Sequence, residues 1–149
     1  MTVTQRVIHI DRLRTQQDRS GGFQCFVPYP FLPDKTRLPE AQLASSSEVI
    51  RVIAISRLML DNIPHIKAYR MNIGDHLATL SLKAGADDID GTVGHEEIMH
   101  DAGSTTRLDT TADELARLIE DADLVAVKRD SVYSSFSVYN GHSDVVEMY

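Results

Sequence analysis

Tryptophan is missing from the 149 residues, and there is one cysteine, Cys25. A lone thiol excludes an internal disulfide, a four-cysteine zinc site and an iron–sulfur cluster held by this chain's thiolates alone. No apolar run approaches the roughly 18 residues of a membrane span. The opening Met1–Arg6 has no apolar signal region. Basic residues are in deficit, 15 Lys and Arg against 22 Asp and Glu, for a net charge of −7. That balance argues against nucleic acid as a partner, because neutralising phosphates takes an excess of Lys and Arg. Internal repeats, low-complexity tracts and glycine-rich nucleotide loops are also lacking. What is present, 42% hydrophobic and 25% charged residues, is an ordinary globular balance. The length suits one domain of modest core, and these features together suit a cytoplasmic protein acting on a small molecule.

Helical and extended patterns alternate along the chain. Thr4 to Arg19 carries Val7, Ile8, Ile10 and Leu13 at helical spacing, with Gly21-Gly22 as the stop. Phe23 to Phe31 is aromatic and reads as a strand, and Leu32 to Ala44 as a loop holding Pro33 and Pro39. Ser45-x-x-Glu48 is a capping box. It opens a helix so apolar, from Val49 to Leu60, that burial on most sides is expected. His65 to Arg70 reads as a strand, Asp75 to Ala84 as a helix ended by Gly85, and Asp88 to Val93 as a strand. A short helix follows near Glu96 to Ala102. Thr111-x-x-Glu114 caps another through Ala122, and Leu124 to Val127 reads as a fourth strand. Asn140-Gly141 is a hairpin turn pair.

Strands separated by helices predict a parallel sheet with helical crossovers. Strand residues alternate faces. Ile66 and Ala68 fall on one face, with His65, Lys67 and Tyr69 on the other. Ile89 and Val93 oppose Asp88, Asp90 and Thr92 in the same way. On the first strand, Gln24, Phe26 and Pro28 are expected to look inward while Phe23 and Val27 pack on helices. A doubly wound sheet has strands apolar on both sides, which these are not. A polar face suits a barrel wall around a wet chamber. A closed barrel takes about 250 residues, so four strands make a partial (βα) barrel with flanking helices.

Three blocks then point to a family. They are Gly21-Gly22-Phe23-Gln24-x-Phe26-x-Pro28, Arg57 through Tyr69, and Gly85 through Gly103 with Asp88-Ile89-Asp90-Gly91-Thr92 at its centre. With Arg129-Asp130-Ser131-Val132-Tyr133, they resemble the aminofutalosine synthases from about Arg6 to Tyr133. The resemblance implies residues 1–133 as the C-terminal half of a radical S-adenosylmethionine barrel, with 134–149 a divergent tail. It implies an enzyme of the futalosine route to menaquinone. There a [4Fe–4S] cluster cleaves S-adenosylmethionine, and the adenosyl radical adds to a carboxyvinyloxy-benzoate. Dehypoxanthine futalosine cyclase is the related alternative, and a non-catalytic relic or partner subunit another. The family's Cys-x3-Cys-x2-Cys motif is not in this chain, and Cys25 does not replace it. Activity is therefore expected only together with the missing N-terminal half, and the expected partner is that half or a second copy of the chain. Arg70 stands where the family leads one to expect an aromatic residue.

The candidate ligand-binding residues are His65, Lys67, Tyr69, Asp88, Asp90, Thr92, Glu96, His100 and Gln24. Lys67 is expected to pair with Asp88 or Asp90, either to meet substrate or as a structural ion pair. His65 is an acid–base group or a hydrogen-bonded supporting histidine. Tyr69 donates to a ligand or packs in the wall. Glu96 and His100, four apart, share a helix face as ligand contacts or as a local cap. His95-Glu96-Glu97-Ile98-Met99-His100 is one residue too long for a zinc-protease helix, so no metal site is expected. Cys25 reads as a small buried hydrophobe.

Overall fold

The computed structural model describes residues 1–33, 38, 40 and 42–141. Pro39, placed in the expected loop, and the end of the tail beyond Gly141 lie outside the described residues. The first helix, α1 (Val3–Ser20), is closed at its start by a capping box from Thr2 and Gln5, and stopped by Gly21 in the left-handed conformation. Strand β1 (Cys25–Phe26) follows. Helix α2 (Ser46–Met59) begins at the Ser45–Glu48 capping box read from the sequence. Next come β2 (His65–Ala68), α3 (Arg70–Ile73), α4 (Asp75–Lys83), β3 (Asp88–Ile89) and α5 (Ile98–Asp101). Helix α6 (Ala112–Glu120) opens at the Thr111–Glu114 box, and β4 (Val127–Arg129) and β5 (Phe136–Val138) end the described chain.

Strands β1, β2 and β3 form a parallel sheet in that order, with Phe26 beside Ile66 and Lys67 beside Asp88. One face is apolar. Ile66 and Ala68 pack there with Val49 and Ile53 of α2 and Ala78 of α4. A second cluster joins Ile10 of α1 to Leu60 and Ile63. Phe26 touches both clusters.

Several expectations are corrected. The parallel sheet has three strands among the described residues. The expected fourth, Leu124 to Val127, is displaced to Val127–Arg129 and pairs antiparallel with β5. The turn between them spans residues 130–135, not Asn140-Gly141. Asp130 takes the amide of Ser134 at 2.8 Å and also accepts from the Ser134 and Ser135 hydroxyls. A short polar side chain that folds onto the amides after it makes such a turn. The expected long strands shrink to two residues each at β1 and β3. Prolines after Phe26 cannot donate to a ladder, and Gly91 weakens strand extension. Phe23 packs on the α1 cluster as expected, but Phe26 does not face the polar side. Phe26 is in the core, and Cys25, opposite His65, is half-buried on the polar face and not a core hydrophobe. Helix α2 buries one side only, since Leu58 is 81% exposed.

Arg70 is fully buried. Its Nη1 donates to Asp75 at 2.9 Å and to Thr110 at 3.2 Å, and its Nε lies 3.6 Å from Asp90. Asp90 also accepts from the Arg70 amide. Burial raises the Asp90 carboxyl pKa even against these donors. A charge that stands in an expected aromatic position is thus matched by neighbours from β3's end, α4 and the loop before α6.

Two substitutions test this packing by urea unfolding of the full chain. Ile66→Ala, at the centre of the first cluster, is expected to cost about 2–5 kcal/mol. Arg70→Leu strands the Asp90 charge and is expected to cost about 3–5 kcal/mol, most of it recovered in the Arg70→Leu/Asp90→Leu double variant.

Candidate functional site

The pleat sends His65 and Lys67 away from the helices, and the parallel register sets Asp88 directly beside Lys67. Lys67 Nζ is 3.4 Å from Asp88 Oδ2. The expected Lys67–Asp88 pair is therefore present, while Asp90 belongs to Arg70. The C-terminal hairpin folds over this polar face. Arg129 grips Asp88 with two hydrogen bonds, Nε to Oδ1 at 3.0 Å and Nη2 to Oδ2 at 2.7 Å. Tyr133 donates its hydroxyl to Asp88 Oδ2 at 2.6 Å and lies under the Arg129 guanidinium, 4.2 Å from the ring centre. Two cations thus share one largely buried carboxylate, which leaves a local positive excess.

His65 stands beside this group. Its Nδ1 is 2.6 Å from Asp87 Oδ2. Its ring stacks on Tyr133 with centres 4.2 Å apart and planes 14° from parallel. Asp87 is held in turn by Arg57 and by the Ile66 amide. Burial and the acceptors Asp88 and Cys25 push the Tyr133 pKa strongly up, so it stays a phenol. Burial also raises the Cys25 thiol pKa, against the lowering effect of its hydrogen bond with Tyr133. His65, Asp87, Asp88, Arg129, Tyr133 and Phe136 surround a cavity of about 90 Å³. A larger cleft of about 940 Å³ separates β3 from α6 and the hairpin, with Leu115, Ile119, Val127 and Val138 on its apolar wall.

The other expected residues lie elsewhere. Tyr69 follows β2 and donates to Glu96 at 3.1 Å, with Tyr29 packed 5.1 Å away. Burial and the Glu96 carboxylate push the Tyr69 pKa up to about 12. Glu96 precedes α5 and accepts from the Met99 amide, the chief reason its carboxyl pKa is lowered. His100 does not share a helix face with the Glu96 side chain. Its ring bridges two backbone carbonyls, Glu96 at 2.8 Å and Thr106 at 2.9 Å. Thr92 is exposed beyond β3, and Gln24 is exposed just before β1. Among the described residues no three His, Cys, Asp or Glu side chains are grouped to hold a metal ion, and no helix is long and apolar enough to cross a membrane.

Sequence reasoning overlooked Asp87, Arg129, Tyr133 and the true face of Cys25. Arg129 and Tyr133 lay inside a recognised block, but nothing in their spacing said that the hairpin would return across the sheet. A pH test follows from Tyr69. Its raised pKa means that the folded state holds the phenolic proton more tightly. That contribution is intact below pH 10.0 and is lost as pH rises through about 12. Unfolding followed by circular dichroism over this window is expected to show stability falling, with a shallower fall in Tyr69→Phe.

Similarity to known proteins follows the same segments. Residues 20–140 match the family described as the CofH/MqnC C-terminal region. The aminodeoxyfutalosine synthase of Thermus thermophilus is 41% identical over 143 residues, covering 93% of this chain and 38% of that protein. The aminodeoxyfutalosine synthase of Streptomyces coelicolor is 38% identical, covering 91% of this chain and 38% of its own length. The cyclic dehypoxanthine futalosine synthase of Streptomyces coelicolor is 34% identical, covering 93% and 34%. The chain therefore spans little more than a third of the length of these relatives. With the family match running from the end of α1 through the hairpin, the chain belongs to the CofH/MqnC C-terminal region family.

Proposed function

We propose that the chain is the substrate-binding C-terminal part of an aminodeoxyfutalosine synthase, a partial barrel whose polar strand face lines the reaction chamber. The observation that carries the reading is Asp88 held between Lys67 and Arg129 on that face. Burying three ionisable groups on one side of a parallel sheet is costly unless they are used. The positive excess suits an anionic substrate, and a carboxyvinyloxy-benzoate offers two carboxylates. In this reading Lys67 takes one of them, while Asp88, itself oriented by Arg129, keeps its ammonium in place.

The complete enzyme would use S-adenosylmethionine and a [4Fe–4S] cluster. The residues of this chain do not fit that cluster: it takes several thiolates, and the sequence offers only Cys25. This chain's contribution is to bind and orient substrate, while the polypeptide that carries the thiolates supplies the radical. The sheet's free edges, at β1 and β3, are where that polypeptide would extend the wall.

A chimera tests the reading. In the Thermus thermophilus aminodeoxyfutalosine synthase, the matching C-terminal segment is replaced by this chain, and product is measured by mass spectrometry. The expected result is aminodeoxyfutalosine formation, with Lys67→Ala lowering kcat/KM by about 10- to 100-fold through loss of a charged hydrogen bond. Full activity in the Lys67→Ala chimera overturns the assigned role. Turnover only in the equivalent chimera with cyclic dehypoxanthine futalosine synthase favours the related cyclisation reaction instead.

A further inference from the structure

We propose that Asp87 and Tyr133 are positioning residues for His65, and that they present its Nε2 as acceptor to a hydroxyl donor in the adjoining cavity. The inference rests on the reading that the polar face is the ligand face. Asp87 Oδ2 lies 2.6 Å from Nδ1, so the neutral ring carries its proton on Nδ1 and leaves Nε2 as the acceptor. Among the described residues Nε2 has no protein partner. The second constraint acts on the face of the ring. Tyr133 stacks on it nearly parallel, and its own hydroxyl is fixed on Asp88. A carboxylate sets the tautomer, and an aromatic face sets the plane.

Tyr133 occupies its place at a conformational cost. Its φ is +56°, in the left-handed region that non-glycine residues seldom enter, and the Asp130 turn holds it there. Strained residues of this kind gather where a side chain must be aimed. The turn itself makes no strand pairing with the three-stranded sheet. Its attachment to that sheet runs through Arg129 on Asp88, Tyr133 on Asp88, His65 and Cys25, and Phe136 5.8 Å from His65. The cavity they enclose, about 90 Å³, has room for roughly three water molecules. A ligand hydroxyl seated in that cavity would donate to Nε2.

The full chain labelled with nitrogen-15 gives a test that needs no turnover and so stands or falls apart from the chimera. Imidazole spectra recorded where the His65 ring is observed in its neutral form are expected to show the Nδ1–H tautomer in at least about tenfold excess. The Nε2 resonance is expected to be displaced from that of a non-bonded ring nitrogen. Tyr133→Phe keeps the stacked ring and should keep the excess. Tyr133→Leu should reduce it several-fold, and Asp87→Asn should favour the Nε2–H form. A wild-type His65 in the Nε2–H form, an undisplaced Nε2 resonance, or unchanged populations in both Tyr133→Leu and Asp87→Asn overturns the proposal.

Discussion

One carboxylate organises the polar side of this molecule. Asp88 receives Lys67 from the neighbouring strand and both Arg129 and Tyr133 from a hairpin some forty residues further along the chain. Its oxygens are largely shielded from water, so each donor interacts more strongly than it would at the surface. Without Asp88, two cations would face each other across a gap with nothing between them. Register makes this possible. Parallel pairing of Lys67 with Asp88 is fixed by the apolar alternation of Ile66 and Ala68 against the helices, since a one-residue slip would turn those side chains outward.

The two faces of the sheet therefore differ in how they are held. The helix side is hydrophobic, with α2 and α4 laid over Ile66 and Ala68. The opposite side is held by charge, hydrogen bonds and ring stacking, without a continuous apolar layer. Arg70 shows the same economy just past the end of the central strand, where guanidinium, carboxylates and a threonine hydroxyl replace aromatic packing. Such clusters are specific in geometry but contribute modest net stability, because desolvation offsets attraction.

The elements legible in the sequence were those specified locally. Two helix starts and one helix stop with local signals held: the Ser45 and Thr111 capping boxes, and Gly21 after α1. The faces of β2 followed from alternation alone, and the pairing of Lys67 with Asp88 from adjacency of consecutive strands. What escaped was non-local. Nothing in Val127-Lys128-Arg129 distinguishes a parallel wall strand from one arm of a hairpin. The decision falls to Asp130, whose side chain captures Ser134 and turns the chain back. The face of β1 was misread because two residues carry too little alternation to fix a phase, and tertiary contact with Phe26 decided it.

The hairpin's mode of attachment has a consequence for competition at Asp88. Arg129 is bound to that carboxylate as part of the same polymer, so dissociation leaves it nearby at an effective concentration of about millimolar or more. A dissolved cation seeking Asp88 meets a tethered rival with two aligned donors.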